Sequence, residues 1–360
     1  MTRIKHLYLH VPFCKSICYY CDFCHRIYDE KIADKWLEVV KSEIEEECRD
    51  AYETIYIGGG TPTALSSVQL NTLLTCLDPY ASNAKEYTIE VNPESLDEEK
   101  IEIFANHHIN RISMGIQSSD DEMLKKLNRK HSFEDVKDKI KLLKDHGFDN
   151  ISGDLMYSLP GQDMAMLNKT IDDILSLDLR HISLYSLTIE ENSVFGKKEI
   201  SNLDEDSEAD MYEHIEKRLT EKGYIHYEVS NYAKEGYESK HNLSYWNYED
   251  FLGISMGSSS KVGEHRYTKT RSFERYFKDK NSLDEDLILS KDDREFEHIM
   301  MSLRTIYGLD INRFNNIYGT DLLQKYATGA ANPAMRIENG RMICTDMEIL
   351  NHVLLDFMND

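Results

Sequence analysis

Four cysteines lie within eleven residues near the amino terminus, and their spacing predicts an iron–sulfur cluster. They are Cys14, Cys18, Cys21 and Cys24, and the first three form a C-x3-C-x2-C pattern. Thiolates are the protein ligands of such clusters, and three thiolates leave one iron of a [4Fe-4S] cubane open. An open iron can chelate a small molecule, which turns an electron store into a reaction centre. A structural zinc site is the alternative, although zinc usually takes four ligands in two separated pairs and no second pair follows downstream.

A second group of residues could bind a nucleoside-like ligand. The sequence GGGTP at 58–62 follows a predicted strand, and glycines let the backbone approach a ligand closely and offer it N–H groups. Further polar side chains stand at or near strand ends, where they would supply acceptors for ribose hydroxyls and a guanidinium for a carboxylate. These are Glu90, Gln117, Arg129 and Asp154. Each polar residue alone is better explained as a surface or capping residue, and GGGTP alone is equally explained as a tight turn. Together, one on each successive unit, they predict a pocket.

The sequence HNLSYW is the second distinctive cluster. It contains His241, Asn242, Tyr245 and Trp246. Histidine is a common axial ligand of haem iron, and tyrosine and tryptophan offer flat, amphipathic surfaces to a macrocycle. The residues alone leave open a second interpretation, which is a loop packed on the rim of the fold.

The elements that must position these residues alternate between β-rich runs and amphipathic helical segments. The runs cover residues 6–11, 54–59, 86–92, 111–117, 150–157 and 181–187. Strands that alternate with helices predict parallel βα units, which right-handed crossovers curl into a barrel or a doubly wound sheet. In both folds, sites form at the carboxyl ends of the strands. The cysteines, the glycines and the polar residues described above fall at those ends, which favours a single site.

The order of elements predicts three regions. Residues 1–235 form the βα core. Residues 236–290 are polar and aromatic, and they are expected to form a loop followed by a charged linker. Residues 291–360 combine helices with a hairpin whose turn is Asn339–Gly340, which predicts a small winged-helix-like domain.

Composition excludes several classes of protein. With 42 Lys and Arg against 65 Asp and Glu, the net charge is −23, which argues against a nucleic-acid partner. No run of apolar residues is long enough to span a bilayer, and the start lacks the pattern of a signal peptide. A cytoplasmic location is expected, where Cys48, Cys76 and Cys344 would be reduced core residues.

The motifs resemble those of the radical S-adenosylmethionine (SAM) superfamily, in its branch of oxygen-independent coproporphyrinogen III oxidase-like proteins. The resemblance runs nearly end to end. It rests on LYLHVPFCKSICYYCDF, YIGGGTPTAL, TIEVNPESL, NRISMGIQSSDDEMLKKLNRKH, ISGDLMYSLPGQ, HISLYSLTIEENS, YEVSNYA, SKHNLSYW and LRTIYGLD. Within this branch the sequence is most similar to the haem chaperones, because HNLSYW matches their H-N-x-x-Y-W motif. The oxidases carry a further cysteine two residues after the third, and Phe23 occupies that position here.

The resemblance implies a partial (β/α)6 barrel with a carboxy-terminal domain. It implies that Cys14, Cys18 and Cys21 hold a [4Fe-4S] cluster whose fourth iron is chelated by SAM, so that Cys24 is not a ligand. The implied haem residues are His241, Asn242, Tyr245 and Trp246. The implied SAM contacts are Tyr8, Tyr20, Gly60, Thr61, Glu90, Gln117, Arg129, Asp154 and Thr188.

The predicted function is that of a haem chaperone, which binds haem and transfers it to an acceptor protein that the sequence does not identify. The alternative is an enzyme that cleaves SAM and acts on a porphyrinogen; Phe23 weighs against the oxidase reaction. A third alternative keeps the fold without using the cluster. Besides haem and the acceptor, a homodimer and transient membrane association stay open as interactions.

Overall fold

A computed structural model describes residues 3–358. The strands are β1 (His6–Val11), β2 (Phe13–Cys14), β3 (Arg26–Ile27), β4 (Thr54–Gly59), β5 (Glu86–Val91), β6 (Arg111–Gln117), β7 (Ile151–Tyr157), β8 (His181–Ser186), β9 (Ile225–Glu228), β10 (Asn231–Ala233), β11 (Phe251–Ile254), β12 (Ser259–Val262), β13 (His265–Lys269), β14 (Leu283–Ile288), β15 (Leu309–Asp310), β16 (Met335–Glu338) and β17 (Arg341–Cys344).

The helices alternate with the first strands and dominate the carboxy-terminal part. They are α1 (Glu30–Glu47), α2 (Ser67–Ala81), α3 (Glu98–Asn106), α4 (Asp121–Lys126), α5 (Phe133–Asp145), α6 (Met164–Ser176), α7 (Val194–Lys197), α8 (Glu205–Glu221), α9 (Lys240–Trp246), α10 (Phe273–Lys278), α11 (Lys291–Ser302), α12 (Ile311–Tyr318), α13 (Leu322–Lys325), α14 (Ala327–Ala330) and α15 (Leu350–Met358). Most begin at a side-chain cap; the reciprocal Ser66–Gln69 capping box at α2 is an example.

One twelve-stranded sheet organises most of the chain, in the order β14-β13-β12-β11-β1-β4-β5-β6-β7-β8-β10-β9. Its centre, β1 and β4 to β8, consists of the six predicted strands, each pairing in parallel with the next. The predicted ends of these strands agree with the structure to within one residue. The parallel centre with its crossover helices confirms the prediction of a partial (β/α)6 barrel.

The two faces of the central strands differ in polarity. One face carries apolar side chains such as Leu7, Ile55 and Ile112, which pack in the main hydrophobic core. The alternate positions carry polar or aromatic residues. Examples are His6, Thr54, Tyr56, Glu86, Glu90, Arg111, Ser113, Asp154, His181 and Ser183, and all of them are buried or half-buried. Parallel strands covered on both faces are usually apolar on both. A polar inner face therefore indicates that the concave side of this sheet holds a polar ligand.

The carboxy-terminal helices and a small sheet share a separate core. The sheet has the order β15-β17-β16, and its hydrophobic cluster contains Leu303, Phe314, Met342 and Phe357. The predicted hairpin is present: Asn339 and Gly340 join β16 to β17, and both have positive φ angles, 52° and 75°. Positive φ at both turn positions is what the Asn-Gly pair favours.

The prediction of a loop and linker in residues 236–290 is wrong for most of this segment. The sequence HNLSYW lies in helix α9. Strand β11 pairs in parallel with β1, and β12 to β14 extend the same sheet in antiparallel fashion. Strand β14, sequence LDEDLI, belongs to the charged stretch that was predicted as a linker. Its residues are mostly exposed, and pairing with β13 makes it a strand. No helix within residues 3–358 is long and apolar enough to cross a membrane.

Candidate functional site

The cysteine loop forms one wall of a cavity of about 480 Å³ at the carboxyl ends of the central strands. Cys14, at the end of β2, and Cys18 and Cys21 in the following loop all line it. The Thr61 hydroxyl lies 3.7 Å from the Cys14 sulfur, and an Arg129 guanidinium nitrogen lies 3.5 Å from the Cys18 sulfur. Burial raises the pKa of Cys14 to about 12 and that of Cys21 to about 11. The thiols of Cys14 and Cys21 are therefore protonated until a metal displaces the protons.

The spacing of the cysteines bears on the kind of metal group they could hold. Within residues 3–358, no three His, Cys, Asp or Glu side chains are grouped closely enough to hold one metal ion. In a cubane cluster each thiolate binds a different iron, so its ligands need to surround a common space rather than converge on a point. The three sulfurs around one cavity, with Arg129 beside them, meet that requirement.

Cys24 lies outside this cavity lining. Its sulfur is 3.8 Å from the Arg271 carbonyl oxygen and packs beside Gly257, where an added Cβ would come within 2.8 Å of it. The Cys24 carbonyl accepts a hydrogen bond of 2.7 Å from His10 Nε2. The residue therefore joins the end of the cysteine loop to the sheet.

The turn that contains GGGTP makes backbone hydrogen bonds to the segment that ends at Cys14. The N–H of Gly60 donates to the Val11 carbonyl (2.8 Å) and that of Thr61 to the Phe13 carbonyl (2.7 Å). An added Cβ at Gly60 would lie 2.7 Å from the Phe13 carbonyl oxygen, so only glycine fits. The N–H groups expected to be free for a ligand are thus engaged within the protein. The backbone of Gly60 and the Thr61 side chain still line the cavity.

Glu90 faces the cavity from the end of β5. It accepts hydrogen bonds from the Tyr56 hydroxyl (2.8 Å) and the Gly59 N–H (3.0 Å). Burial raises its pKa to about 7, and the nearby Asp154 carboxylate adds to the effect. Burial likewise raises the pKa of Asp154, whose carboxylate accepts from the Ser113 hydroxyl at 3.0 Å. These two carboxyls are buried acidic groups on the polar face of the central strands.

Arg129 connects the cysteines to the polar wall. Its guanidinium donates to Asn92 Oδ1 (2.8 Å) and to the Gly115 carbonyl (2.7 Å) besides contacting Cys18. Its Nε atom and the Oε1 atom of Gln117 are buried without a hydrogen-bond partner, and both residues line the cavity. Buried polar atoms are nearly always paired. These unpaired atoms indicate a ligand that supplies both an acceptor and a donor.

The remaining SAM candidates divide between two cavities. Tyr20 and Thr188 line the cysteine cavity. Tyr8 lines a neighbouring cavity and its hydroxyl lies 3.0 Å from His10 Nδ1. The structure thus brings eight of the nine predicted SAM residues to one cavity. The eight are Tyr20, Gly60, Thr61, Glu90, Gln117, Arg129, Asp154 and Thr188.

The neighbouring cavity has a volume of about 690 Å³ and is lined by three of the four predicted haem residues, Asn242, Tyr245 and Trp246. Its other walls include Tyr248, Phe251, Met300, Met301 and Arg266. Asn242 and Tyr185 line both cavities, so helix α9 stands between them. The Trp246 indole Nε1 is buried without a hydrogen-bond partner.

His241 lines neither cavity. It is 1% exposed, and both ring nitrogens are engaged: Nδ1 lies 2.7 Å from Thr54 Oγ1 and Nε2 lies 2.7 Å from the Tyr245 hydroxyl. Burial, aided by the nearby His6 and Arg111, lowers its pKa well below the ordinary value, so the ring is neutral. A ligand could reach Nε2 only after Tyr245 moves aside.

Several residues of the polar wall were not predicted. They are Tyr56, Arg111, Ser113, Ser183 and Tyr185. A signal was present, because polar residues recur at every second position in RISMGIQ, HISLYS and EYTIEVN. A period of two places alternate side chains on one face of a strand, and buried polar positions on successive strands would have identified this wall.

Comparisons with known proteins match these features. Residues 8–174 match the profile of the Radical SAM superfamily. The heme chaperone HemW of Lactococcus lactis subsp. lactis is 39% identical over 318 residues, which cover 86% of this chain and 84% of that protein. HemW of Bacillus subtilis is 35% identical over 342 residues, covering 89% of this chain and 88% of that protein.

Among solved structures, coproporphyrinogen III oxidase (HemN) from Escherichia coli superimposes with a TM-score of 0.86 at 20% identity. The match covers 99% of this chain and 90% of that one, and at this identity it establishes a shared fold. Identity above 30% over more than two thirds of each chain establishes a closer relationship to the HemW proteins. The chain therefore belongs to the radical SAM superfamily and, within it, to the HemW family of heme chaperones.

Proposed function

We propose that this protein binds haem beside a SAM-chelating [4Fe-4S] cluster and transfers the haem to an acceptor protein in the cytoplasm. Membership of the radical SAM superfamily implies the cluster and SAM. The observation that carries the haem assignment is the position of α9. The motif helix borders a large aromatic cavity on one side and the cysteine cavity on the other, through Asn242.

Cys14, Cys18 and Cys21 would hold the cluster, which supplies an open iron for SAM and a source of single electrons. The surrounding residues bind and orient SAM. The unpaired Arg129 Nε and Gln117 Oε1 offer a donor and an acceptor, and Glu90 offers a carboxylate in the same cavity. Arg129 also places its positive charge beside the Cys18 sulfur, at 3.5 Å.

The cavity of about 690 Å³ suits a flat, largely apolar macrocycle with acidic edges. Its volume falls within the range of about 300–1,000 Å³ that is usual for small-molecule sites. Aromatic rings and two methionines line it, and the unpaired Trp246 N–H is a donor suited to a propionate. His241 would supply a nitrogen ligand to the haem iron once the Tyr245 hydroxyl is displaced.

Haem titration of the purified protein tests the assignment. His241→Ala should weaken haem binding and alter the Soret band, while leaving the iron and sulfide content of the anaerobically reconstituted protein unchanged. Equal haem affinity in the variant and the parent would remove His241 from the site. Haem transfer is then measured as loss of the bound haem spectrum upon addition of an apo-haemoprotein.

A second candidate function is a radical SAM oxidoreductase acting on a porphyrinogen. The complete cysteine cavity with its polar wall favours it, since that wall is what SAM chemistry requires. Phe23 occupies the position of the oxidases' additional cysteine. Because phenylalanine has no thiol, this position cannot supply the group that the oxidases have there. An anaerobic assay with coproporphyrinogen III decides between the functions, because protoporphyrinogen formation would establish turnover.

A further inference from the structure

A continuous series of hydrogen bonds links His241 to the carboxylate of Glu249, which lines the cavity of about 690 Å³. Glu249 Oε2 lies 3.1 Å from His6 Nε2, and His6 Nδ1 lies 2.9 Å from Thr54 Oγ1. The same Thr54 hydroxyl lies 2.7 Å from His241 Nδ1. The interior members are buried, with His6 6%, Thr54 3% and His241 1% exposed, whereas the Glu249 side chain is 33% exposed. This series of hydrogen bonds joins strand β1, strand β4 and helix α9.

The Thr54 hydroxyl couples the proton positions of the two histidines. A hydroxyl has one proton to donate and otherwise accepts. Because both Nδ1 atoms contact the same oxygen and the hydroxyl has only one proton, Thr54 can donate to only one of them. When His6 Nδ1 is unprotonated it takes that proton, and His241 Nδ1 must then be protonated and donate to Thr54.

The Glu249 carboxylate determines which atom donates and which accepts in each hydrogen bond of the series. Its hydrogen bond with His6 lowers its pKa, so at neutral pH the carboxylate is ionised and can only accept. With one proton on each imidazole, the His6 proton is then on Nε2, facing Glu249. His6 Nδ1 accepts from Thr54, and Thr54 accepts from His241 Nδ1–H. His241 Nε2 is left with a free electron pair, which accepts a hydrogen bond from Tyr245.

We propose that Glu249, His6 and Thr54 act as positioning residues that hold the His241 proton on Nδ1 and so keep Nε2 as the atom available to haem iron. The inference rests on the proposed haem function for its purpose, but the tautomer itself is a property of the haem-free protein. Metal-binding histidines generally donate the second ring N–H to such a partner, which fixes the ring and raises its basicity. Here the partner is a hydroxyl whose direction is set by a carboxylate two hydrogen bonds further on.

The first test examines the haem-free protein. Long-range proton–nitrogen spectra of protein labelled with ¹⁵N-histidine distinguish protonated from unprotonated ring nitrogens, and His241→Ala identifies the His241 signals. We expect Nδ1 protonated and Nε2 unprotonated in the parent. In Glu249→Gln the amide can donate to His6 as well as accept, so the His241 pair should shift towards the other tautomer. A parent with the proton on Nε2, or a Glu249→Gln spectrum identical to the parental one, would overturn the inference.

The second test measures haem binding. Thr54→Val keeps the β-branched shape but loses the hydroxyl, and it should raise the haem Kd about 10–100-fold, the usual cost of removing such a partner. Thr54→Ser restores the hydroxyl and should restore both the affinity and the parental iron–histidine stretching frequency in resonance Raman spectra. Glu249→Gln, altered at a partly exposed position, should weaken binding several-fold.

Glu53→Gln is the matched control. Glu53 adjoins Thr54 in sequence and its side chain is 29% exposed, close to the 33% of Glu249, but it pairs with Lys5 and Lys85 rather than with a histidine. The Glu53→Gln variant should have the same haem affinity and the same spectra as the parent. If Thr54→Val and Glu249→Gln both bind haem with parental affinity and frequency while His241→Ala does not, the positioning inference fails and the haem function stands. If His241→Ala itself binds like the parent, the haem assignment fails, and only the spectra of the haem-free protein bear on the tautomer.

Discussion

The hydroxyl oxygen of Tyr245 lies 2.7 Å from Nε2 of His241. Both residues belong to the motif H-N-x-x-Y-W, and their spacing of four places them on one face of helix α9. The tyrosine therefore covers the nitrogen that the motif is proposed to offer to haem. Its ring lines the large cavity while the histidine is hidden behind it. Any ligand that reaches this nitrogen must therefore first displace the hydrogen bond with Tyr245.

Tyr245→Phe should bind haem more tightly than the parent. Iron no longer has to displace a hydrogen bond, whose net contribution is typically about 0.5–1.5 kcal/mol. This corresponds to a Kd lower by roughly 2- to 10-fold, measured by Soret titration. Tyr307→Phe, which removes an exposed hydroxyl contacting Glu238, is the control and should bind like the parent. Weaker binding by Tyr245→Phe would mean that the hydroxyl contacts the bound haem.

The central strands could be predicted from the sequence because their signals are local. Each of the six runs combines β-branched or aromatic residues with a terminating turn, and each strand ends within one residue of its predicted limit. The hairpin at Asn339–Gly340 was predictable for the same reason. The cysteine spacing likewise identified three residues that share one cavity.

Helix α9 could not be predicted locally, because its stabilising partners are distant in sequence. Seven residues with Asn, Ser, Tyr and Trp have little helix propensity. The Ser239 hydroxyl caps the helix, and the Glu86 carboxylate accepts from the N–H groups of Lys240 and His241 at 2.8 and 2.9 Å. A carboxylate some 155 positions away in sequence thus accepts hydrogen bonds from backbone N–H groups in the first turn of the helix, which have no partner within the helix. The contacts of His241 with Thr54 and His6 depend on the same long-range packing.

Cys24→Ala should retain a SAM-responsive cluster. Its thiol faces the Arg271 carbonyl and lies outside the cysteine cavity, and burial raises its pKa to about 11, which keeps it protonated. Iron and acid-labile sulfide per chain, and the change in visible absorbance on adding SAM, should match the parent. Cys18→Ala is the positive control and should lose the cluster. Loss of iron from Cys24→Ala to the same extent would make it a fourth ligand.

SAM binding should strengthen as pH rises through about 7, because the Glu90 pKa lies there. Below this value the carboxyl is protonated and accepts hydrogen bonds poorly from the hydroxyl or ammonium groups of SAM; above it the carboxylate attracts them. Glu90→Gln should bind SAM less tightly at pH 8 and lose this part of the pH dependence, as measured by anaerobic equilibrium dialysis between pH 6 and 8. Glu99→Gln, which removes an exposed carboxylate on α3, should follow the parent. A pH profile of Glu90→Gln parallel to that of the parent would place the titrating group elsewhere.

Glu228 makes the fold less stable above neutral pH. It is fully buried beside the large cavity, and burial raises its pKa to about 7, although the Ser230 N–H donates to it at 3.0 Å. Because the folded carboxyl binds its proton more tightly than the unfolded one, its stabilising contribution is complete below about pH 4.5 and is lost as pH rises to about 7. Between pH 5 and 8 the loss is about 2–3 kcal/mol.

Glu228→Gln should remove this loss, because a neutral amide has no proton to release. Asn231 donates to Glu228 and leaves its own Oδ1 unpaired, so rotation of the Asn231 amide gives the glutamine N–H an acceptor. Urea denaturation at pH 5 and pH 8 should show a smaller decrease in the free energy of unfolding for the variant than for the parent. Glu221→Gln, at the exposed end of α8, should show the parental decrease. An equal decrease in Glu228→Gln and the parent would mean that this carboxyl is already ionised in the folded protein at pH 5.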